Sequence, residues 1–305
     1  MATVDVYAYG MTVLSTIHLL DGPYPERDGY QEIGGTFVFP GGEAGNAALL
    51  LARWGLRVKL AGPHLGHETS GPLRDYFCAA GVDTSGLGDD PEFAGLRDWV
   101  LVDGASRTVF GTFRHFLSAV PKRWSPPDPD AIRSAAIVLL DPFFGEDTRQ
   151  VAELCGRAGK PYVTIDCAPD SVEHRGAAAT VVSREFLREA LGGTDPEPLL
   201  RRYQACSPGL VVFTAGADTI LFGRRGQPVN RLRPYQMSVK GTLGAGDSFR
   251  AGVLYGLLRA WDDETTVRFA AATAALWCAR FPAAAALPAL EDVLELGGLP
   301  PSSPL

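Results

Sequence analysis

The chain contains little cysteine, and none of it is paired in sequence. The five cysteines (Cys78, Cys155, Cys167, Cys206 and Cys278) are scattered and never form a C-x-x-C pair. A disulfide scaffold is built from an even set of cysteines, and a zinc site needs clustered ligands. The cysteine pattern therefore argues against both and favours free thiols in a reducing cytoplasm.

Long apolar runs and an excess of positive charge are also missing. No run of about 18 apolar residues occurs, and the first residues lack the basic start and apolar stretch of a signal peptide, so we expect no membrane span and a cytoplasmic location. The formal net charge is -7. Because binding to nucleic acid requires a basic surface, the sequence predicts neither a nucleic acid nor a membrane as a partner.

Several motifs of other enzyme classes are absent. The sequence has no G-x-S-x-G nucleophile elbow, no legible Ser/His/Asp set and no G-x-G-x-x-G after a strand, which counts against a dinucleotide-dependent oxidoreductase. His64 and His67 have an H-x-x-H spacing, but no cluster of carboxylates or cysteines accompanies them. We therefore predict no metal site at these histidines.

The sequence does contain a regular alternation of strand and helix patterns. Apolar strands are predicted at residues 4–9, 58–61, 136–140, 162–166, 180–182, 211–214 and 220–222. Helices are predicted at residues 45–54, 71–80, 147–158, 184–191, 246–261 and 264–279. Repeated strand–helix units with short apolar strands are typical of a mainly parallel sheet covered on both faces. We expect an α/β fold in one large domain or two smaller ones.

Two segments interrupt this alternation. Residues 13–40 carry short strand patterns at 15–19, 29–33 and 36–39, separated by glycine, proline and charged residues. Residues 99–113 have the pattern of a hairpin around Asp103-Gly104. These strands do not fit into a buried sheet, so we predict a small lid sheet over a binding cleft. A surface meander without a function is the alternative.

The most informative segment is the loop from Gly241 to Asp247, which precedes a helix pattern. Its small residues let the backbone approach an anion, and the unpaired N–H groups of the following helix attract one. The spacing is close to that of a Walker A phosphate loop, but Asp247 stands where that loop has lysine. Because phosphates repel a carboxylate, Asp247 needs another role. We interpret it as the base that deprotonates an attacking hydroxyl while the glycine backbone holds the phosphoryl group.

Two further turns are candidate ligand contacts. The segment from Gly41 to Asn46 opens a helix with two glycines, and Asn46 offers both a donor and an acceptor. The segment from Thr214 through Gly216 follows a strand, and ligands of open α/β sheets bind beyond the carboxyl ends of strands. Each turn by itself is also compatible with an ordinary glycine turn.

Together these segments resemble the ribokinase-like (PfkB) family of carbohydrate kinases over residues 4–296. The two family signatures correspond to residues 41–46 and 244–249, and weaker similarity lies at residues 81–87, 107–109, 214–218 and 287–293. The resemblance implies a three-layer α/β/α sandwich with a mainly parallel central sheet and a small β lid, within one domain of residues 1–305. It also implies ATP, Mg²⁺ and phosphoryl transfer to a hydroxymethyl group.

The resemblance assigns roles to individual residues. Asp247 corresponds to the catalytic base, and the anion hole corresponds to Gly244, Ala245 and Gly246. The nucleotide site corresponds to Thr214, Gly216, Thr242, Gly244 and Gly246, and the substrate site to Ser15, Gly41, Gly42, Asn46 and Asp247. Arg107 and Arg114, near the hairpin, are further candidates for substrate contact, with exposed strand charges as the alternative.

Four positions depart from the family pattern. Ser15 stands where an aspartate usually binds sugar hydroxyls. The pairs Gly241-Thr242 and Pro282-Ala283 replace the usual Asp-Thr and Gly-Ala, which argues against potassium activation. Residues 183–186 lack both marker residues of the N-x-x-E motif that organises Mg²⁺, so Glu185 is left as the candidate metal ligand.

We therefore predict an ATP-dependent kinase that phosphorylates a hydroxyl of a small sugar or sugar-like polyol. One alternative is a nucleoside kinase of the same fold, which a bulky apolar lid interior around Phe37, Phe39 and Phe110 would favour. A second alternative is a catalytically weak ligand-binding or regulatory homologue. A lid with exposed strand edges could also pair two copies into a homodimer.

Overall fold

A computed structural model describes residues 4–104, 106–191 and 195–301. Its strands are β1 (Val6–Tyr9), β2 (Val13–Leu20), β3 (Ile33–Gly41), β4 (Val58–Ala61), β5 (Leu65–Gly66), β6 (Asp83–Gly86), β7 (Asp89–Asp90), β8 (Arg97–Val102), β9 (Arg107–Gly111), β10 (Ile137–Leu140), β11 (Tyr162–Ile165), β12 (Ala179–Val182), β13 (Leu210–Phe213), β14 (Ile220–Gly223) and β15 (Asn230–Leu232). Its helices are α1 (Glu43–Arg53), α2 (Ser70–Ala79), α3 (Phe113–Leu117), α4 (Pro129–Ser134), α5 (Glu146–Ala158), α6 (Val172–Arg175), α7 (Arg184–Leu191), α8 (Pro196–Cys206), α9 (Ala245–Leu258), α10 (Asp263–Cys278) and α11 (Leu290–Leu296).

A large central sheet has the strand order β15-β14-β13-β12-β11-β10-β1-β4-β6. Neighbours from β6 to β13 pair in parallel, and β14 and β15 are added antiparallel at one edge. Strands such as β10 and β11 are buried at every position, as expected where both faces of a parallel sheet are covered. The predicted mainly parallel α/β sheet is confirmed.

The side chains of β1 show the three layers directly. Val6 and Ala8 belong to a core that also contains residues of α1, α9 and α10. Tyr7 and Tyr9 point to the opposite face, where they pack with residues of α4 and α5. Because successive side chains of a strand point to opposite faces, helices cover both sides of the sheet. The expected α/β/α sandwich is therefore confirmed.

The segments predicted to form a lid come together in a separate four-stranded sheet with the order β3-β2-β8-β9. Pairing is antiparallel for β2 with β3 and for β8 with β9, and parallel for β2 with β8. The predicted strand at residues 29–33 is wrong, because β3 begins only at Ile33. A turn precedes it, with Asp28 in the left-handed region and the Gly29 N–H bonded to the Glu26 carbonyl.

The two faces of this lid sheet have different side chains. On the inner face, Ser15 lies directly between Phe39 and Asp98 in the strand register. The next row, Val38, Thr16, Trp99 and Phe110, lies on the outer face. The expectation that Phe110 contributes to an apolar lid interior is therefore wrong, because its position in the alternation points it outwards.

Candidate active site

A cavity of about 350 Å³ lies between the inner face of the lid sheet and the carboxyl ends of β11 and β12. The predicted site residues in its wall are Ser15, Gly41, Gly42, Asn46, Arg107, Glu185, Thr242, Gly244, Ala245, Gly246 and Asp247. The fold thus brings together segments that are far apart in the sequence.

Three predicted contacts lie outside this wall. Thr214 and Gly216 follow the carboxyl end of β13, and the Thr214 N–H donates to the Val182 carbonyl of the neighbouring strand at 2.9 Å. They therefore lie on the same sheet edge as the cavity without lining it. Arg114 is exposed on the short helix α3 and does not line the cavity, so the structure does not support it as a substrate contact.

The glycine loop turns sharply into α9 at Gly244. Gly244 has a φ of 77°, in the left-handed region that favours glycine. A Cβ here would lie 2.9 Å from the Trp277 ring and 3.0 Å from Asn46 Nδ2, so the site has no room for a side chain. Trp277 also holds the loop, because its indole N–H donates to the Leu243 carbonyl at 2.6 Å.

The first turn of α9 supplies backbone donors at the cavity. A helix leaves the N–H groups of its first turn without intrahelical acceptors, and these groups attract an anion. The Ala245 N–H already donates to the Thr242 carbonyl, at a long 3.3 Å. A phosphoryl group at this place would therefore meet the N–H groups of Gly246 and Asp247 first.

Asp247 projects from this first turn and accepts a hydrogen bond from Asn46 Nδ2 at 2.8 Å on its Oδ2. The bond joins the two glycine motifs, which are about two hundred residues apart in the sequence. Burial raises the pKa of Asp247, while the Arg250 cation and the Asn46 hydrogen bond act in the opposite direction. A carboxylate with a raised pKa in a partly closed site is suited to accept a proton from a hydroxyl.

A fully buried ion pair behind the cavity fixes the position of α9. Arg250 Nη1 lies 2.5 Å from Asp141 Oδ1, and neither side chain is exposed. Asp141 Oδ2 accepts from the N–H groups of Met11 and Ala44, at 2.7 and 3.1 Å. The pair therefore ties α9 to the end of β1 and the start of α1. The sequence analysis missed it, although a charged residue within an otherwise buried helix was a usable signal.

Glu43 is a second acid beside Asp247, at the start of α1 and in the cavity wall. Burial, followed by the negative charges of Asp247 and Asp141, raises the pKa of Glu43 to about 8. Near neutral pH the Glu43 side chain is therefore largely protonated. Glu43 lies within the glycine motif predicted at residues 41–46, but it was not predicted as a site residue.

A further group of polar side chains lies at the ends of β11 and β12. Asp166 adopts a φ of 44°, which is uncommon for a residue other than glycine. Its carboxylate accepts from the Ser183 N–H at 2.6 Å and from the Ser183 hydroxyl at 2.9 Å. Glu185 is largely exposed, with Oε1 4.0 Å from Arg107 Nη2, and Arg107 donates to the Thr242 hydroxyl at 2.6 Å.

These acids do not form a preassembled metal site. Within the described ranges, no three His, Cys, Asp or Glu side chains are grouped so that they could hold a metal ion. Asp166, which the sequence analysis missed, and Glu185 both line the cavity at adjacent strand ends.

On the lid wall, Ser15 faces Asp98 across neighbouring strands. Asp98 is only 6% exposed and lies directly opposite Ser15 in the strand register. The sequence analysis missed Asp98, because the predicted hairpin began one residue later. Its alternation with the buried Val100 and Val102 was the signal that could have revealed it.

Comparison with known proteins identifies the family. The sequence profile described as pfkB family carbohydrate kinase matches residues 8–290. The chain belongs to this family. A 5-dehydro-2-deoxygluconokinase of Bacillus velezensis is 33% identical over 281 residues, covering 85% of this chain and 85% of that protein. A nucleoside kinase of Methanothermobacter thermautotrophicus is 26% identical over 293 residues, covering 88% of each.

The fold is also similar to that of solved structures. The structure of Arabidopsis thaliana ribokinase complexed with ribose and ATP superposes with a TM-score of 0.80 and 18% identity, covering 98% of this chain and 100% of that chain. The motif resemblance and the fold class are thus confirmed. As a member of the family, the protein is a carbohydrate kinase, a phosphotransferase with a hydroxyl as acceptor. Among the described helices, none combines the length and apolar character needed to cross a membrane.

Proposed function

We propose that this kinase transfers the γ-phosphoryl group of ATP to a hydroxyl of a small sugar or sugar-like polyol. One observation carries the proposal: Asp247 lies in the first turn of α9, beside the left-handed Gly244, and accepts a hydrogen bond from Asn46 in the cavity wall. This arrangement combines a proton acceptor with backbone donors for a phosphoryl group.

In this proposal each wall of the cavity has its own task. Asp247 takes the proton of the acceptor hydroxyl, and the backbone from Gly244 to Gly246 stabilises the transferring phosphoryl group. The nucleotide lies along the sheet edge beyond β13, near Thr214 and Gly216, and reaches the glycine loop past Thr242. The lid sheet excludes water that would otherwise hydrolyse ATP.

We further infer that Asp166 and Glu185 are the protein ligands closest to a magnesium ion. Both carboxylates face the cavity from adjacent strand ends, beside the proposed path of the phosphates. They fit Mg²⁺, since this ion commonly takes one or two carboxylates and completes its shell with phosphates and water. When bound, the ion would neutralise negative charge on the phosphates of ATP. Potassium activation is not part of the proposal, because of the departures at residues 241–242 and 282–283.

The choice of acceptor rests on the lid side chains that line the cavity. The relatives are named for a gluconate derivative and for nucleosides, so a sugar acid and a nucleoside are the competing classes. Of the three phenylalanines considered, only Phe39 lines the cavity. Phe37 packs edge-on against Phe281, and Phe110 lies on the outer face. The lid residues named for a nucleobase pocket therefore contribute one aromatic ring, while Ser15 and Asp98 contribute polar groups from the same lid wall, which favours a polyol.

We also propose a single domain in which the four-stranded sheet is the lid, and self-association through the outer face of that sheet. The support for self-association is a row of exposed apolar side chains, with Trp99 41% and Phe110 48% exposed. A cytoplasmic location is supported by the cysteines, all five of which are free thiols.

The proposed function is tested by measuring ADP release with ATP, Mg²⁺ and a panel of sugars, polyols, sugar acids and nucleosides. We expect turnover with a neutral sugar or polyol and little with nucleosides. Inactivity across the whole panel combined with tight binding of a panel compound would instead support the regulatory, ligand-binding alternative.

A further inference from the structure

The lid wall of the cavity contains a buried carboxylate without a cationic partner. Asp98 lines the cavity and is 6% exposed. In the part of the chain that the structure describes, its Oδ1 has no hydrogen-bond partner, and no ion pair joins Asp98 to a lysine or arginine. A buried acceptor that stays unpaired costs free energy, so this oxygen is poised to accept from a ligand.

From this geometry, and resting on the kinase function proposed above, we propose that Asp98 and Ser15 together recognise the hydroxyl groups of a neutral sugar or polyol and disfavour a sugar acid.

The hydrogen-bonding groups of Ser15 and Asp98 determine which ligands the pair can bind. An ionised carboxylate only accepts, and the Ser15 hydroxyl lies directly opposite Asp98 in the strand register. The unpartnered Asp98 Oδ1 therefore presents lone pairs that no protein donor satisfies among the described residues. A ligand must supply donors to satisfy this wall, as adjacent hydroxyls do.

A sugar acid does not match the charge and hydrogen-bonding groups of this wall. Its carboxylate offers only acceptors and places a like charge near Asp98, whose own charge has no salt-bridge partner in the described residues. Asp98 is 6% exposed, and this loss of contact with water raises the pKa of its carboxyl. Repulsion between two carboxylates is correspondingly strong in such a site.

Gly41 supplies an independent geometric reason for the position of the pair. A Cβ at Gly41 would lie 2.3 Å from Ser15 Oγ, so the serine hydroxyl occupies space that only glycine leaves free. The first glycine motif therefore leaves room for Ser15 Oγ next to the loop that carries Gly42 and Asn46, and Asp98 lies opposite Ser15 on the neighbouring strand.

The test compares neutral and acidic compounds of matched size on wild type, Asp98→Asn and Ser15→Ala. The pairs are D-ribose with D-ribonate and D-glucitol with D-gluconate. We expect Asp98→Asn to raise KM for the preferred neutral compound about 10- to 100-fold, as for loss of a hydrogen bond to a charged group, with kcat and the KM of ATP changed much less. In this variant, the ratio of kcat/KM for the neutral compound to kcat/KM for the matched acid should fall.

A matched control and a second variant keep the test decisive. Asp147→Asn changes a buried aspartate outside the cavity, bound by Lys122 and Trp124, and should leave the KM of the sugar unchanged. Ser15→Ala should also raise the KM of the sugar. If Asp98→Asn folds poorly, this second variant still tests whether the pair recognises the sugar. A purely structural role would alter stability in these variants without a selective change in the KM of the sugar.

Binding separates failure of this inference from failure of the kinase function. If no compound is phosphorylated, calorimetric titration of D-ribose and D-glucitol still decides the role of Asp98: weaker binding to Asp98→Asn supports it. Preference of the wild type for the acid of each pair, an unchanged KM in Asp98→Asn, or no binding of either neutral compound would overturn the inference.

Discussion

At the scale of single residues, two acids in the cavity wall differ in protonation because their neighbouring charges differ. Asp247 has a raised pKa, but the Arg250 cation and the Asn46 hydrogen bond favour its anion. Glu43 has the negative charges of Asp247 and Asp141 nearby, and they favour its protonated form. Such a division assigns proton acceptance to Asp247 and leaves Glu43 as a neutral neighbour near pH 7.

The role of Asp247 predicts the effect of Asp247→Asn. The amide keeps the size of the side chain but cannot take the hydroxyl proton, so kcat should fall roughly 10²- to 10⁴-fold. ATP binding should change little, because the backbone donors of the loop remain. Steady-state kinetics and calorimetric titration of ATP check both parts. Asp130→Asn, in the first turn of α4, is the matched control, and unchanged turnover in Asp247→Asn would exclude the base role.

The raised pKa of Glu43 predicts how stability depends on pH. The folded protein keeps this proton up to about pH 8, whereas the unfolded chain releases it near its ordinary value of 4.5. Between these values the folded state binds more protons, so the free energy of unfolding should fall as pH rises through the window.

Glu43→Gln isolates this contribution. Gln does not titrate, so urea unfolding across the same pH range should show a shallower fall than in wild type, with the variant relatively more stable at the alkaline end. Identical slopes for the two proteins would show that Glu43 is not protonated in the folded state.

At the scale of elements, the decisive feature is the start of α9. Gly244 combines a left-handed conformation with close contacts to Trp277 and Asn46. The buried ion pair between Arg250 and Asp141 fixes the same helix on its buried side. The helix N-terminus is therefore positioned by packing on two sides rather than by its local sequence alone.

Gly244→Ala should disrupt this start. The left-handed conformation costs an L-residue about 1–2 kcal/mol, and the added Cβ would collide with Trp277. We expect a lower melting temperature together with a large loss of kcat/KM. Gly226→Ala is the control, since Gly226 has a similar φ of 74° but open space around it. It should lose stability while keeping its activity; equal activity in both variants would contradict the positioning role.

At the scale of the whole molecule, the lid sheet has two functional faces. The inner face carries Ser15 and Asp98 toward the cavity, and the outer face exposes Trp99 and Phe110. An exposed apolar row on a sheet with free edges is suited to pair with a second copy.

Self-association through this face predicts the effect of Trp99→Glu combined with Phe110→Glu. The added charges should convert a dimer into a monomer, because burying them without partners is unfavourable. Light scattering coupled to size exclusion measures the mass. Thr36→Glu, on the same outer face but outside the aromatic pair, is a milder control. A wild-type protein that is monomeric at all concentrations tested would refute the proposed interface.

The sequence predicted much of the fold because its signals are local. Alternating apolar strands and helices indicated the parallel sheet, and glycines followed by Asp247 indicated a loop that meets phosphate. The same local reasoning missed Asp98, since the predicted strand began one residue after it. It also misplaced Phe110, because a strand's inner and outer faces depend on its register with neighbours.

By itself, the sequence determined the kind of chemistry, because the glycine loop and its aspartate are contiguous and their spacing carries the geometry. Only the tertiary structure decided which side chains share the cavity. Asn46 bonds to Asp247, Asp141 pairs with Arg250, and Ser15 lies opposite Asp98, in each case between segments distant in the chain. The physical reason is that burial and neighbouring charge, which set the pKa values and the hydrogen-bonding needs of these groups, exist only once the chain has folded.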